Sequence, residues 1–209
     1  MDPLDSSPPP HASHRLFPFL LGGGILVVAV GFVAFSLLRP QPDTFAPSPV
    51  LFPVEVKAPP TGSWQRTIDA SHPDWWQYFS FRLGSLVADP GPLDWDLAFR
   101  RFQVIANGGE GFPGEAGVLD LGEVDFQDVD EVPTGGYLET RVRSDSIHPV
   151  LERWYDYSFF SHLLSPKPRV FAVRTARGYH LKLEFLGYYC PGARPGCITF
   201  RYEFLPPPP

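Results

Sequence analysis

Residues 169–205, RVFAVRTARGYHLKLEFLGYYCPGARPGCITFRYEFL, decide the fold. In 179–189, Tyr179, Leu181, Leu183, Phe185 and Tyr189 fall on one face, and His180, Lys182 and Glu184 on the other. In 198–204, Ile198, Phe200, Tyr202 and Phe204 oppose Thr199, Arg201 and Glu203. A period of two means half-buried strands, one face in the core and one in water. Arg169–Thr175 is a third strand, turned by Ala176, Arg177 and Gly178. The three form an antiparallel meander. Its second turn holds Pro191, Gly192, Pro195 and Gly196 between Cys190 and Cys197. Two cysteines facing each other across a hairpin mouth meet disulfide geometry. A pair of separate buried thiols is the competing reading, and zinc would be under-ligated because no histidine lies near.

Upstream, Trp76–Phe81 (WQYFSF) and Trp95–Ile105 (WDLAFRRFQVI) read as aromatic strands, with Asp89-Pro90-Gly91-Pro92 as the loop between them. Residues 149–157 (PVLERWYDY) read as the one short soluble helix, with Pro149 near its start. Few charges (19%), many aromatics (15%), 19 Gly and 26 Pro favour strands joined by turns. The fold class is therefore all-β and antiparallel. A net charge of −6 gives no basic footprint for nucleic acid.

Leu16–Leu38 carries no charge and only Ser36 as a polar side chain. Roughly 20 apolar residues cross a bilayer core of about 30 Å, so this run is expected to be a single transmembrane helix. A cleavable signal peptide has a shorter apolar core and a small-residue cleavage site, and no A-x-A follows. Arg15 and Arg39 leave the positive-inside count near a tie. The cysteine pair breaks it, because disulfides persist in oxidising compartments. The expected order is a disordered cytoplasmic tail (1–15), the membrane helix (16–38), a Pro-rich linker (39–62) and a β domain (63–206). The domain would lie in the periplasm or outside a bacterial cell, anchored in its inner membrane.

YFSFRLG at 78–84, DWDLAFRRFQVIANGG at 94–109, and the meander with CITFRYEF at 197–204 together resemble the HmuY haem-binding proteins. The resemblance runs in order over roughly residues 65–205. It implies an extracytoplasmic all-β domain that holds haem iron between two axial side chains, His or Met. The sole methionine is Met1, which removes a Met pair. His162, just before the RVFAVRT strand, matches the position of one ligand, and His148 is the histidine available for the other. Trp154, Tyr155, Tyr157, Phe159 and Phe160 surround them in sequence and suit the walls of a flat ligand. The plainer reading makes His148 part of a loop before the helix, His162 a surface-turn residue, and the aromatics core.

His180 shares a face with Lys182 and Glu184 and is expected in solvent. His72 reads as a turn residue. Residues 102–140 hold no Lys or Arg but many carboxylates, among them Glu110, Glu115, Asp120, Glu123, Asp125, Asp128, Asp130 and Glu131. Without D-x-D-x-D-G spacing they read as a solvated acidic flap rather than a calcium site, able to steer a basic carrier such as a cytochrome c. Asp94 and Asp96 flank Trp95 and are expected to fix a turn and pair with Arg100 and Arg101. No G-x-S-x-G, P-loop, C-x-x-C-H or H-E-x-x-H occurs, and nothing argues for an enzyme. Two functions remain. One is a non-catalytic accessory subunit docked on an integral membrane complex, such as one of electron transport. The other is a protein that binds haem or a similar porphyrin.

Overall fold

The computed structural model describes residues 16–38, 40–50, 58–142 and 145–207, the side chains of 16–21 and 35 excepted. Two compact units result, Met1–Pro40 and Gln41–Pro209. The first contains α1, Leu16–Leu37. Among the described residues no helix is long and apolar enough to cross a membrane. The expected tail, 1–15, lies outside the described residues.

The second unit is built from antiparallel strands. β1 (Ser63–Asp69) opens it. β2 (Gln77–Ser80), β3 (Ser85–Val87), β4 (Leu97–Arg100) and β5 (Gln103–Ala106) follow. They form a four-stranded sheet in the order β3-β2-β4-β5. The segment expected as one strand, 95–105, is thus a hairpin. The chain reverses at Arg101, whose φ is 55°. Its backbone N–H donates to the Ala70 carbonyl at 2.7 Å. Strand propensity could not reveal this, because the turn carries neither Gly nor Pro and is held by a distant loop.

β6 (Gly117–Gly122) precedes two short hairpins, β7 (Arg141–Val142) with β8 (Ser146–Ile147), and β9 (Tyr155–Tyr157) with β10 (Leu164–Pro166). The meander then runs β11 (Val170–Arg174), β12 (His180–Cys190) and β13 (Arg194–Leu205), as expected. Its sheet order is β1-β13-β12-β11-β6. Residues 149–157 do not form a helix of ordinary length. Only Leu151–Arg153 makes a single 3-10 turn before β9 begins. Tyr155 and Tyr157 are better satisfied as strand residues paired with Pro166 and Leu164.

Aromatic rings join the two large sheets. Phe99 of β4 stacks on Phe200 of β13 with centroids 5.4 Å apart and planes 11° from parallel. Phe79 and Phe81 meet Phe200 and Tyr202 edge to face. All five are buried, and burial pushes the Tyr202 phenol up to about 12. Trp154 continues the core, stacked obliquely on Phe185, with its indole N–H donating to the Phe102 carbonyl at 2.8 Å.

The other face of the meander is not wet. Phe126, in a 3-10 turn of the acidic flap (Phe126–Asp128), is buried. The Lys182 ammonium lies 4.6 Å and the Arg201 guanidinium 4.3 Å from its ring centroid. Lys182 is only 3% exposed and pairs with Glu203 at 3.4 Å, while Arg201 pairs with Glu184. The flap read as solvated therefore roofs these charges through one ring. Alternation marks two faces but cannot say what covers the polar one. Similarly, part of the expected linker docks. Phe45 N–H donates to Tyr189 O at 2.8 Å and Ser48 N–H to Thr67 O at 2.9 Å. A Cβ on Gly187 would sit 2.5 Å from the Phe45 ring, so the bulge in β12 at Gly187 is the socket for that ring.

Candidate functional site

Among the described residues, the β9–β10 hairpin presents the most exposed aromatic surface of the second unit. Its base is held by Leu164 N–H donating to the Tyr189 hydroxyl at 2.9 Å and Lys167 N–H to the Trp154 carbonyl at 2.9 Å. Its tip closes through Ser158 N–H to Leu163 O at 2.8 Å and His162 N–H to Ser158 O at 2.9 Å. That closure needs a left-handed residue, and His162 takes it at φ 56°. A non-glycine residue there stores backbone strain, of the order of 1–3 kcal/mol. Phe160 is 90% exposed, Phe159 77% and Tyr157 57%. Phe159 lies 6.2 Å from Phe160 and 6.0 Å from the His162 ring, centroid to centroid. The Tyr157 hydroxyl and His162 Nδ1 are hydrogen-bonded at 2.7 Å. Exposing two phenylalanines costs about 1.5–3 kcal/mol each relative to burial, so the tip is an apolar patch left uncovered among the described residues.

His148 is placed quite differently. It is buried among β8, the 3-10 turn and the segment before β7. Nε2 bonds the Leu138 carbonyl at 2.9 Å, and Nδ1 accepts the N–H groups of Val150 and Leu151, each at 3.3 Å. Burial holds its pKa down to about 4, so the ring is neutral and caps the turn. The expected pairing of His148 with His162 as axial ligands is therefore not what this arrangement offers: both His148 nitrogens serve the backbone. His148 lines a cleft of about 250 Å³ together with Phe102, Val104, Ile147, Glu152 and Tyr155. It is smaller than the roughly 300–1,000 Å³ that encloses a drug-sized ligand. Of the two histidines, only His162 keeps a ring nitrogen without a hydrogen-bond partner among the described residues. By the chemistry of its donors, a haem iron is suited by the free imidazole nitrogen of His162 and not by His148, both of whose nitrogens are taken.

The other expected residues resolve as structure. Asp96 is buried, and its Oδ2 accepts Phe81 N–H at 2.8 Å while Oδ1 accepts Ala176 N–H at 3.0 Å. Burial outweighs those bonds and raises its pKa to about 6. It pairs with backbone rather than with Arg100, whose partner is Asp145. Asp94 accepts Gly91 N–H at 3.1 Å and pairs with Arg177 at 3.3 Å. Asn107 donates to the carbonyls of Pro92 and Trp95, both at 2.9 Å. A Cβ on Gly108 would fall 2.0 Å from the Ala116 carbonyl oxygen. The DWD…NGG block thus staples β2, β4 and β5 to the turn after β11. His180 is half-buried against Tyr137, ring centroids 5.7 Å apart, and burial lowers its pKa. His72 is a turn residue whose Nδ1 accepts Asp74 N–H at 3.2 Å. Cys190 and Cys197 form a disulfide. Asp69 lies close to both sulfurs, but bonded to each other they cannot act as thiolates. The sequence grouped Tyr157, Phe159, Phe160 and His162 together with Trp154, Tyr155 and His148, and the structure separates the exposed tip from the buried Trp154 and His148. The tip's signal is two Phe inside a Ser-flanked turn, where packing gives no reason for them.

The HmuY protein family matches residues 72–202, more than half of the chain. No curated protein matches. Among solved structures, the apo HmuY analogue of Tannerella forsythia is 20% identical and superposes with a TM-score of 0.57 over 73% of this chain and 100% of its own. A Bacteroides vulgatus protein assigned as an HmuY-like haem-binding protein is 19% identical, with a TM-score of 0.55 over 68% of this chain and 92% of its own. A Bacteroides fragilis protein assigned as a lipoprotein is 18% identical, with a TM-score of 0.54 over 68% of this chain and 88% of its own. These likenesses establish a shared fold.

Proposed function

The chain belongs to the HmuY family, and from that premise we propose that it binds haem or a similar porphyrin at the tip of the β9–β10 hairpin and acts by binding rather than catalysis. The observation that carries this reading is the exposed cluster of Tyr157, Phe159 and Phe160 around His162. The family match supports ligand binding over the accessory-subunit reading. The test is a haemin titration of the full-length chain in mild detergent. Saturable binding at micromolar protein, weakened by the double substitution Phe159→Ser/Phe160→Ser, is expected. Absence of saturation in the unaltered protein rejects the reading.

The uncharged run 16–38 supports a membrane anchor, and the disulfide supports an extracytoplasmic location for residues 41–209. Protease added to intact spheroplasts should then remove the domain. Protection until lysis would reverse the orientation.

A further inference from the structure

The geometry points to an acid-opened flap: residues 123–138 close over the polar face of β11–β13 while His180 is neutral, and swing away when its ring takes up a proton. Two rings rivet the flap. Phe126 sits over Lys182 and Arg201. Tyr137 sits in a second seat, bounded by Gly117, Arg174 and His180. A Cβ on Gly117 would fall 2.9 Å from that of Tyr137. The Arg174 guanidinium lies 5.6 Å from the Tyr137 ring centroid, and the His180 ring 5.7 Å. Beside this seat, Val118 N–H donates to Leu138 O at 2.8 Å and Leu138 N–H to Val118 O at 3.0 Å. Gly122, with φ 86° and open space where a Cβ would stand, is the hinge at the other end.

The second seat is the weaker one. The Tyr137 hydroxyl and His180 Nδ1 are both buried, and neither has a hydrogen-bond partner among the described residues. A buried polar atom left unpaired costs free energy that contact with water would restore. Protonation makes closure worse. An imidazolium carries hydrogen on both nitrogens, so Nδ1 would become a buried donor with no acceptor. The added charge meets no free carboxylate. Arg174 stands opposite His180 on β11 and is itself paired with Glu139 at 3.2 Å. Lys182, next along the same face of β12, takes Glu203 of β13 at 3.4 Å. Leu205 is the β13 residue opposite His180, and β6 brings only Gly117 to the seat. The 3-10 turn of the flap carries Asp125 and Asp128, but it is Lys182 and Arg201 that its Phe126 covers. Burial, then the Arg174 charge, hold the His180 pKa below its ordinary 6.5. The closed flap thus binds the proton less well than the open one. It is shut above pH 6.5 and loosens as pH falls below it.

The experiment is hydrogen–deuterium exchange of the full-length chain in mild detergent, between about pH 7.5 and 5, corrected for the intrinsic pH dependence of amide exchange. Protection of the Val118 and Leu138 amides should fall about tenfold across that range, since one proton allows at most about tenfold per pH unit below 6.5. Amides that join β12 to β13 should keep their protection. His180→Gln, neutral throughout, should abolish the fall. Tyr137→Phe removes the unpaired hydroxyl and leaves His180, so it should raise protection at neutral pH and retain the fall on acidification. Protection at Val118 and Leu138 that does not change with pH in the unaltered protein overturns the proposal without recourse to any variant. An undiminished fall in His180→Gln also overturns it, because the trigger then lies on another group. A parallel loss between β12 and β13 does the same, because the whole domain rather than the flap is then opening. None of these outcomes bears on the haem reading, which stands or falls by titration.

Discussion

Asp96 and His148 should titrate in opposition, and replacing Asp96 should expose the acid sensitivity that it masks. Asp96 has a folded pKa of about 6 against an ordinary 3.8, with burial as the cause. The unfolded chain therefore ionises first, and the fold loses stability as pH rises from 3.8 to about 6. The shift corresponds to about 3 kcal/mol. His148 runs the other way. Its folded pKa is about 4 against 6.5, so stability is lost as pH falls from 6.5 towards 4, again by about 3 kcal/mol. In the unaltered protein the two slopes nearly cancel across their shared window. Asp96→Asn keeps one acceptor for Phe81 or Ala176 N–H and leaves the other N–H facing an amide, a cost of about 1–3 kcal/mol at neutral pH. It also removes the masking slope, so the variant should lose a further amount of about 3 kcal/mol between about pH 6.5 and 4. His148→Asn, whose carbonyl can still cap the turn, should do the reverse and gain stability on acidification. Urea unfolding of the full-length chain followed by tryptophan fluorescence, at several pH values, reads all three proteins. An Asp96→Asn profile parallel to that of the unaltered protein, merely displaced, would refute the reasoning.

Phe126→Ala should cost about 3–5 kcal/mol, the range for a buried aromatic, because it unroofs Lys182 and Arg201. Limited proteolysis should then cut the chain between residues 123 and 136, and an unchanged digestion pattern would count against the roof. Gly187→Val should expel the Phe45 ring from its socket and destabilise by about 1–3 kcal/mol, with the chain before Ser48 becoming protease-sensitive first. Reducing Cys190–Cys197 opens a loop with a sequence separation of only 7, so the loss should be about 2–3 kcal/mol on the chain-entropy model, leaving a folded protein. Free-thiol labelling of natively purified, unreduced protein should find neither cysteine reactive.

The sequence by itself determined the meander, the hairpin disulfide and the all-β class. Each rests on a local signal: alternation with period two in 179–189 and 198–204, and turn residues between two cysteines. It also marked the DWD…NGG block, though not that Asp96 and Asn107 serve backbone groups far along the chain. Only the tertiary structure decided what covers the polar face of β12 and β13, since Phe126 is more than fifty residues from Lys182 and nothing in either stretch announces the other. It likewise decided the fate of the histidines. In sequence, His148 and His162 are equivalent imidazoles beside aromatics. In three dimensions one is buried and spends both nitrogens on the backbone, while the other stands on an exposed tip bonded to Tyr157. Ligand availability depends on which polar groups folding leaves unpaired, and that is a property of non-local contacts rather than of composition or spacing.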